Sequence, residues 1–495
     1  MNIIAFPIFF PFLLVIVMIM VRSVKLAKCL AIAGSAINII GILLIFQQVS
    51  KNDILVLNMG GWPAPYAITL VADYLSSLML LVTAIIVFSI SVYAYNFIQE
   101  DDGNSKFYVF FFSLLMGVNG AFITGDVFNL YVWFEVMLLS SFVLITLGKR
   151  KEQLEGGIKY MALNLIASLL FLAGLGLLYG KTGTLNMAHL AQILKDDQQA
   201  ILINTSAMLF FIAFGIKAAV FPVFFWLPSS YHTANITITS LFAGLLTKVG
   251  VYALIRFFTL FFIQDSDFWH TLLLIIAGFT MIIGGMAASA HYETRRILSY
   301  HIISQIGYMI MGLGIFTPLA IAGAIYFTVH NMIAKTNTFL IAGVINKMKG
   351  TYYLKNIGGL FKESPMLAIL FIIPAFALAG IPPLSGFFAK FMLIKAGFED
   401  EHYFVTSVAI FTGILTLYSV IKIWNEAFLK KHPDETKVHD KFKPGFIDIL
   451  PSIILGLGSI GLGVFAKYFF EITSAAAEQL LNPDFYINNI LNTVK

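Results

Sequence analysis

The stretch FFIAFGIKAAVFPVFFWLP, residues 210–228, places Lys217 in the middle of an apolar run. A second stretch, AGIPPLSGFFAKFMLI (residues 379–394), does the same with Lys390. A transmembrane helix needs about 20 mostly apolar residues. An ionisable side chain near the bilayer centre costs about 2.5–3.5 kcal/mol on insertion scales. The two stretches therefore predict membrane spans whose buried lysines have a function.

Both stretches also carry prolines near the middle of the span: Pro222 in the first, and Pro382 and Pro383 in the second. Proline removes a helical donor and clashes with the preceding turn. We therefore predict two broken helices. The carbonyl groups that lose their helical donors are those of Ala218, Leu378 and Ala379.

The composition fits a chain that lies mostly within a membrane. Of the 495 residues, 59% are hydrophobic and 12% are charged, whereas a soluble domain has about 25% charged residues. The mean hydropathy is +0.88. The single cysteine, Cys29, excludes an intrachain disulfide and a thiolate cluster. We find no nucleotide-binding loop, no soluble catalytic constellation and no haem, iron–sulfur or zinc motif, so we expect a transporter without cofactor or metal.

The fold class that we predict is an all-α polytopic membrane protein with a single integral membrane domain over residues 1–495. The apolar segments number about fourteen. They are residues 2–21, 27–47, 73–96, 107–124, 127–147, 160–180, 202–228, 237–263, 270–289, 299–316, 319–345, 366–395, 404–428 and 447–469.

The distribution of basic residues predicts the orientation of these spans. With both termini outside, 20 of the 31 lysines and arginines fall in inner loops, six on the outer side and five within spans. An excess of basic residues in inner loops is the usual pattern. We therefore expect both termini on the outer side.

An internal repeat is expected from the spacing of the spans. Lys217 and Lys390 each lie on a proline-broken span, and the interval between them covers five spans. Because five is an odd number, the two units would be inverted in the membrane, as in many transporters. We place one five-helix unit at 107–263 and the other at 270–428. The flanking helices lie at 1–96 and 447–469.

A buried lysine can act as a proton carrier because burial and neighbouring charges both change its proton affinity. Glu135, in NLYVWFEVMLLSSFVLI, is the acid deepest within a span, so we expect it to be the partner of Lys217. Lys248 lies equally deep in SLFAGLLTKVGVYALIRF. The alternative is that these residues snorkel to the interface or form static ion pairs.

Further polar residues accompany the buried ionisable groups Glu135, Lys217 and Lys248. Lys248, Tyr252 and Arg256 recur every four residues and share one helix face; we expect Arg256 to be a fixed charge. His330 and Lys335 lie together in the eleventh span and favour a relay. His232 is expected either to pass protons between Lys217 and Lys248 or to cap the first break. His301 is expected at the membrane interface.

Five motifs resemble the antiporter-like subunits of respiratory complex I and of the multisubunit Mrp cation/proton antiporters. Each motif surrounds an intramembrane polar group, and the resemblance covers nearly the whole chain. The motifs are FEVMLLSSF (134–142), FGIKAAVFPVFFWLP (214–228), LFAGLLTKVGVYALIRF (241–257), RRILSYHIISQIGY (295–308) and GIPPLSGFFAKF (380–391).

The resemblance implies fourteen helices with two inverted five-helix units. It also implies a proton path across a hydrated central axis. Complex I relatives usually have glutamate at the position of Lys390 and often histidine at that of Gln305, so both residues favour the Mrp branch. The residues that would carry the proton are Glu135, Lys217, Lys248, His330 and Lys390.

Three functions remain open on sequence alone. The first is a proton-translocating subunit of an Mrp Na⁺/H⁺ antiporter in a bacterial plasma membrane. The second is a proton-pumping subunit of complex I or of a membrane-bound hydrogenase, and the third is a scaffold that moves no ions. We expect partner subunits, membrane lipid, protons and Na⁺ as partners, and no nucleic acid.

Overall fold

Long apolar helices make up most of the chain in the computed structural model, which describes residues 3–98, 104–195, 200–431, 433 and 442–491. A two-stranded antiparallel hairpin, β1 (Leu55–Asn58) and β2 (Thr69–Ala72), lies between the second and third helices. The helices of the first half are α1 Phe6–Met20, α2 Val24–Asn52, α3 Tyr74–Phe97, α4 Asn104–Ile123, α5 Val127–Thr146, α6 Lys151–Thr182, α7 Met187–Lys195, α8 Ala200–Ala218, α9 Trp226–Tyr231, α10 Ile236–Gly244 and α11 Leu246–Leu260.

The second half continues with the same kind of helix and ends in two shorter ones. A π-helical turn, Asn425–Leu429, extends the helix that precedes the charged loop. The helices are α12 Ser266–Ala290, α13 Thr294–Ile315, α14 Pro318–Lys349, α15 Leu360–Glu363, α16 Pro365–Ala379, α17 Ser385–Glu399, α18 Tyr403–Trp424, α19 Phe446–Val464, α20 Ala466–Leu480 and α21 Pro483–Leu491.

The predicted all-α polytopic fold is confirmed. Among the described residues, twelve helices are long and apolar enough to cross a membrane. The two remaining predicted spans, 319–345 and 366–395, coincide with α14 and with the pair α16 and α17. A row of polar residues lowers the hydropathy of α14, and a break interrupts the other span.

Burial separates central helices from peripheral ones. The apolar window of Ile236–Leu260 is 100% buried and that of α13 is 94% buried, whereas the window that contains α1 is only 33% buried. Residues Ala320–Ile345 of α14 are also buried throughout. Lys248, His330 and Lys335 therefore lie on the most buried helices of the described residues.

The first predicted break is confirmed between α8 and α9. Helix α8 ends at Ala218, and Ala219 adopts a left-handed conformation with φ 63°. The indole of Trp226 donates a hydrogen bond to the carbonyl of Ile216 at 2.8 Å, which satisfies one of the acceptors at the helix end. The break therefore has its own polar partners within the membrane span.

The second predicted break is confirmed between α16 and α17. Helix α16 ends at Ala379, and Gly380 follows with φ 90°, a conformation that glycine adopts without strain. A third interruption, at Leu245 between α10 and α11, was not predicted because no proline marks it.

Two pairs of corresponding helices in the two halves are separated by the same interval. Helix α5 begins at Val127 and α13 at Thr294, and the same interval separates the start of α10 at Ile236 from that of α18 at Tyr403. The interval between Lys217 and Lys390 is longer, because Lys217 precedes its break whereas Lys390 follows its own. The two lysines therefore do not occupy matching positions, and their separation does not describe the repeat of the helices. The division at 107–263 and 270–428 stays a prediction.

Helix α19 packs directly against the second break. A Cβ atom at Gly463 would overlap the carbonyl oxygen of Pro383 and would lie within 3 Å of backbone atoms of Leu384. At Gly461, two residues earlier, an added Cβ would meet nothing within 4 Å among the described residues. Glycine at position 463 is therefore what allows this close approach.

We predict that Gly463→Ala destabilises the folded protein by about 1–3 kcal/mol, since it overpacks a contact with backbone. The measurement is the thermal unfolding midpoint of the detergent-purified protein. Gly461→Ala is the matched control and should leave the midpoint nearly unchanged. Equal midpoints for the two variants would contradict this packing.

Candidate functional site

Buried ionisable side chains form a row across the central helices. Lys217 lies on α8, Lys248 on α11 and Lys390 on α17, and all three are buried. His330 and Lys335, both fully buried, lie on α14 between the two halves. The structure thus brings all the lysines and the histidine of the predicted row into the interior.

Glu135 and Lys217 do not form a direct ion pair. No nitrogen–oxygen contact within 4.0 Å joins them among the described residues, and Oε1 of Glu135 is buried without a hydrogen-bond partner there. Lys217 instead lies with Nζ 4.8 Å from the ring centre of Phe134. The carboxylate is close enough to attract the ammonium electrostatically. The predicted partnership is therefore electrostatic and without contact.

Lys217 lines a small internal cavity of about 20 Å³ together with Tyr160 and Asn164. Helix α11 passes next to it, because Gly250 brings its backbone against Ala218; a Cβ at Gly250 would lie 2.6 Å from the nitrogen of Ala218. This crossing places the helix that carries Lys248 beside the first break.

Lys248 and Lys390 share one kind of hydrogen bond, in which the ammonium binds carbonyl groups at an interrupted helix. Nζ of Lys248 donates to the carbonyl of Ala243 at 2.7 Å, at the end of α10. Nζ of Lys390 donates to the carbonyls of Leu378 and Ala379 at 2.9 and 3.0 Å. The last two are the carbonyls that the sequence predicted to be freed. A cation at a helix C-terminus is favoured by the helix dipole.

Lys335 connects the two halves of the row. Its Nζ has no hydrogen-bond partner in the part of the chain that the structure describes, and its charge interacts with those of both Lys248 and Lys390. His330, one and a half helical turns away, places Nδ1 2.8 Å from the hydroxyl of Ser385. A relay between the halves through His330 and Lys335 stays a prediction.

The expectation that His301 is interfacial is wrong. His301 is fully buried, and neither ring nitrogen has a hydrogen-bond partner among the described residues. It interacts electrostatically with Lys335 and Lys390. Its spacing from Tyr308, seven residues, places both on one face of α13, and this periodicity could have identified it.

His232 lies in the loop after α9 and borders a polar cavity of about 400 Å³ on the predicted inner side. Its Nδ1 is 2.6 Å from the carbonyl of Pro228, and Nε2 is 3.3 Å from the guanidinium of Arg296. Burial lowers the pKa of His232 below its usual value, partly offset by the Pro228 carbonyl. The contact with Pro228 lies at the C-terminal end of α9 and not at the break, so both expected roles of His232 stay predictions.

The stripe of Lys248, Tyr252 and Arg256 is buried, and Arg256 has an acidic partner, as a fixed charge requires. Its guanidinium forms an ion pair with Asp73, and both side chains are buried. It also donates to the hydroxyl of Tyr252 at 3.3 Å, and that hydroxyl donates to the carbonyl of Phe122 at 2.7 Å. This network anchors α11 to α3 and α4.

Three further carboxylates are buried, and each stands at the edge of an apolar run. Asp73 and Asp126 accept backbone hydrogen bonds as N-caps of α3 and α5, and Asp448 accepts one from Gly445 in the first turn of α19. Burial raises the pKa of Asp126 to about 6. Glu135 is still the carboxylate that lies among the lysines of the central row.

Residues 124–416 match the family described as NADH:quinone oxidoreductase/Mrp antiporter, transmembrane region. The chain belongs to this family. The D subunit of the Na⁺/H⁺ antiporter of Alkalihalophilus pseudofirmus is 45% identical over 497 residues, with 99% of each chain covered. The Bacillus subtilis protein of the same name is 39% identical, again with 99% of each covered. The putative antiporter subunit mnhD2 of Staphylococcus aureus is 36% identical, with 98% of this chain and 97% of the relative covered.

Chains of two solved membrane complexes share the fold over the whole length. A chain of the Mrp complex from Dietzia sp. DQ12-45-1b superposes with a TM-score of 0.90 at 29% identity, with 99% of this chain and 100% of that chain covered. A chain of the membrane-bound sulfane sulfur reductase, an archaeal respiratory membrane complex, gives 0.91 at 26% identity, with 99% of each covered. The same helical scaffold therefore occurs in antiporters and in redox complexes.

Within this family the row of lysines is the candidate site, and no metal centre competes with it in the described residues. Those residues contain no group of three or more histidine, cysteine, aspartate or glutamate side chains that could hold a metal ion. The expectation that no cofactor is bound stays a prediction.

We predict that Asp73→Asn destabilises the protein by about 3–5 kcal/mol, because it leaves the buried guanidinium of Arg256 without a counter-charge. The measurement is the thermal unfolding midpoint. Asp484→Asn is the control; it removes a mostly exposed pair with Lys195 on the surface and should change little. If Asp73→Asn unfolds no earlier than the control, the ion pair does not anchor α11.

Proposed function

We propose that this chain is the D subunit of an Mrp-type multisubunit Na⁺/H⁺ antiporter and that it translocates protons. The relatives named above, which cover nearly the whole chain, support the antiporter assignment. The observation that carries the proton path is the position of Lys335, which is fully buried and interacts with both Lys248 and Lys390. Lys335 thereby links the groups of the first half with those of the second, and the step from Lys217 to Lys248 is part of the proposal.

The chemistry of the row suits proton transfer. A desolvated lysine binds its proton weakly, so a small change in a neighbouring charge loads or unloads it. Glu135 attracts the proton on Lys217 without holding it in a contact pair, which keeps that proton transferable. Lys248 and Lys390 retain carbonyl acceptors, so each site can hold a proton. The proposed path is Glu135, Lys217, Lys248, Lys335, His330 and Lys390.

The alternative, a proton-pumping subunit of complex I or of a hydrogenase, has less support. The fold is shared with a respiratory complex, so the fold does not distinguish the two. The names of the relatives and the lysine at position 390 favour the antiporter. We therefore propose a secondary transporter subunit and not an enzyme, assembled with other Mrp subunits in a bacterial plasma membrane.

Sodium is expected to bind elsewhere in the complex. A sodium ion requires several oxygen ligands, and the central row offers one carboxylate, Glu135, among lysines. The resulting positive field favours proton movement and disfavours a bound cation. This chain expressed alone should therefore give no sodium/proton exchange.

We predict that Glu135→Ala abolishes exchange, because Lys217 loses the negative charge that holds its proton. The measurement is ΔpH-driven Na⁺/H⁺ exchange in everted vesicles that contain the complete complex, with the amount of this chain quantified by immunoblot. Glu399→Ala, which removes an exposed carboxylate, is the matched control and should keep full exchange.

The outcomes of this experiment separate the two parts of the proposal. Normal exchange with well-expressed Glu135→Ala would exclude this residue from the path. Exchange by the purified single chain in liposomes would show a sodium site within this subunit. A wild-type complex that exchanges no sodium would refute the antiporter assignment itself.

We also predict that both termini lie on the outer side of the membrane, as the excess of basic residues in the predicted inner loops indicates. Alkaline phosphatase fused to the C-terminus should be active, because it folds only outside the cytoplasm. A fluorescent reporter that matures only in the cytoplasm should be dark at the same position. The reverse pair of results would mean an odd number of spans or a reversed orientation.

A further inference from the structure

A short chain of hydroxyl groups connects His330 to helix α19, which lies outside both five-helix units. Nδ1 of His330 is 2.8 Å from Oγ of Ser385, and that oxygen is 3.1 Å from Oγ of Ser459. All three side chains are fully or almost fully buried. Ser385 is the first residue of α17, directly after the second break, so three helices meet at this point.

Two glycines make this meeting possible. A Cβ at Gly386 would overlap the carbonyl oxygen of Ala377 and would lie 2.8 Å from Nε2 of His330. Gly463 brings α19 equally close to the other side of the break. The histidine and both serines are therefore held by backbone contacts as well as by their hydrogen bonds.

The direction of the hydrogen bonds that join His330, Ser385 and Ser459 can reverse. A serine hydroxyl has one donor and two acceptor sites. When Nδ1 of His330 carries no proton, Ser459 can donate to Ser385, and Ser385 can donate to Nδ1. When Nδ1 is protonated, it donates to Ser385, and Ser385 donates to Ser459. Nδ1 keeps a partner in either case.

We propose that Ser385 and Ser459 are positioning residues that keep Nδ1 of His330 hydrogen-bonded in both protonation states of the imidazole, and that they couple its protonation to the second break. The proposal rests on the proton path described above and deepens it. Lys390 binds the end of α16 through two carbonyls, while His330 binds the start of α17 through Ser385. A proton that moves between Lys390 and His330 therefore changes the hydrogen bonds at both ends of the break, at the end of α16 and at the start of α17.

The charges around His330 make the hydroxyl of Ser459 important. Lys335 on its own helix and Lys390 on α17 both face it, and both disfavour a positive imidazole. His301 on α13 interacts with the same two lysines. Without Ser459, the hydroxyl hydrogen of Ser385 would have no acceptor whenever Nδ1 is protonated. Removing Ser459 therefore destabilises the protonated form of His330.

The test compares Ser459→Ala with Ser452→Ala in the complete complex. Ser452 lies two turns earlier on α19, is buried, and has a hydroxyl without a partner among the described residues, so its removal is a matched control. We expect the alkaline limb of the exchange-versus-pH profile to move toward lower pH by about one pH unit in Ser459→Ala. Ser459→Thr, which keeps the hydroxyl, should restore the wild-type profile.

Thermal unfolding of the same complexes gives a readout that does not require transport. Ser459→Ala should lower the unfolding midpoint more at acid pH than at alkaline pH, whereas Ser452→Ala should lower it at neither. A uniform lowering at all pH values, an unshifted exchange profile, or an equal shift in Ser452→Ala would each overturn the proposal. Failure of the wild-type complex to exchange sodium would instead concern the proposed function, and the unfolding measurement would still decide this point.

Discussion

The hydrogen bond between a lysine ammonium and carbonyls at an interrupted helix is the interaction on which the interior depends. An unpaired backbone carbonyl in a membrane span is costly, and so is an unpaired ammonium. At Lys248 and Lys390 each group satisfies the other. The interruptions and the lysines therefore depend on each other, because an unpaired carbonyl or an unpaired ammonium would each be unfavourable to bury.

The interior separates fixed charge from movable charge. Arg256 keeps its proton at any physiological pH and is neutralised by Asp73, so it stabilises the packing of α11. The lysines of the row have carbonyl partners or none, and Glu135 attracts Lys217 without contact. Because no full counter-charge holds these protons, they are the ones that can move. The same helix, α11, carries both kinds of charge eight residues apart.

Much of the site could be predicted because its signals are local in sequence. Proline positions indicated both breaks and the two carbonyls that Lys390 binds, and four-residue spacing indicated the stripe that ends at Arg256. The errors concern partners in other helices. His301 was assigned to the interface from its position near the end of a predicted span. The kink at Leu245 was not predicted, because no proline marks it. Asp73 was overlooked because it precedes its helix as a cap.

The sequence by itself determined the spans, the two breaks that prolines mark and the depth of Lys217, Lys248 and Lys390, since hydropathy and helical rise are properties of a single segment. The tertiary structure alone decided which groups meet. Lys335 lies between Lys248 and Lys390, and Ser459 contacts Ser385, because glycines such as Gly250, Gly386 and Gly463 let particular helices approach closely. Those approaches join residues far apart in the chain, and no local pattern specifies them.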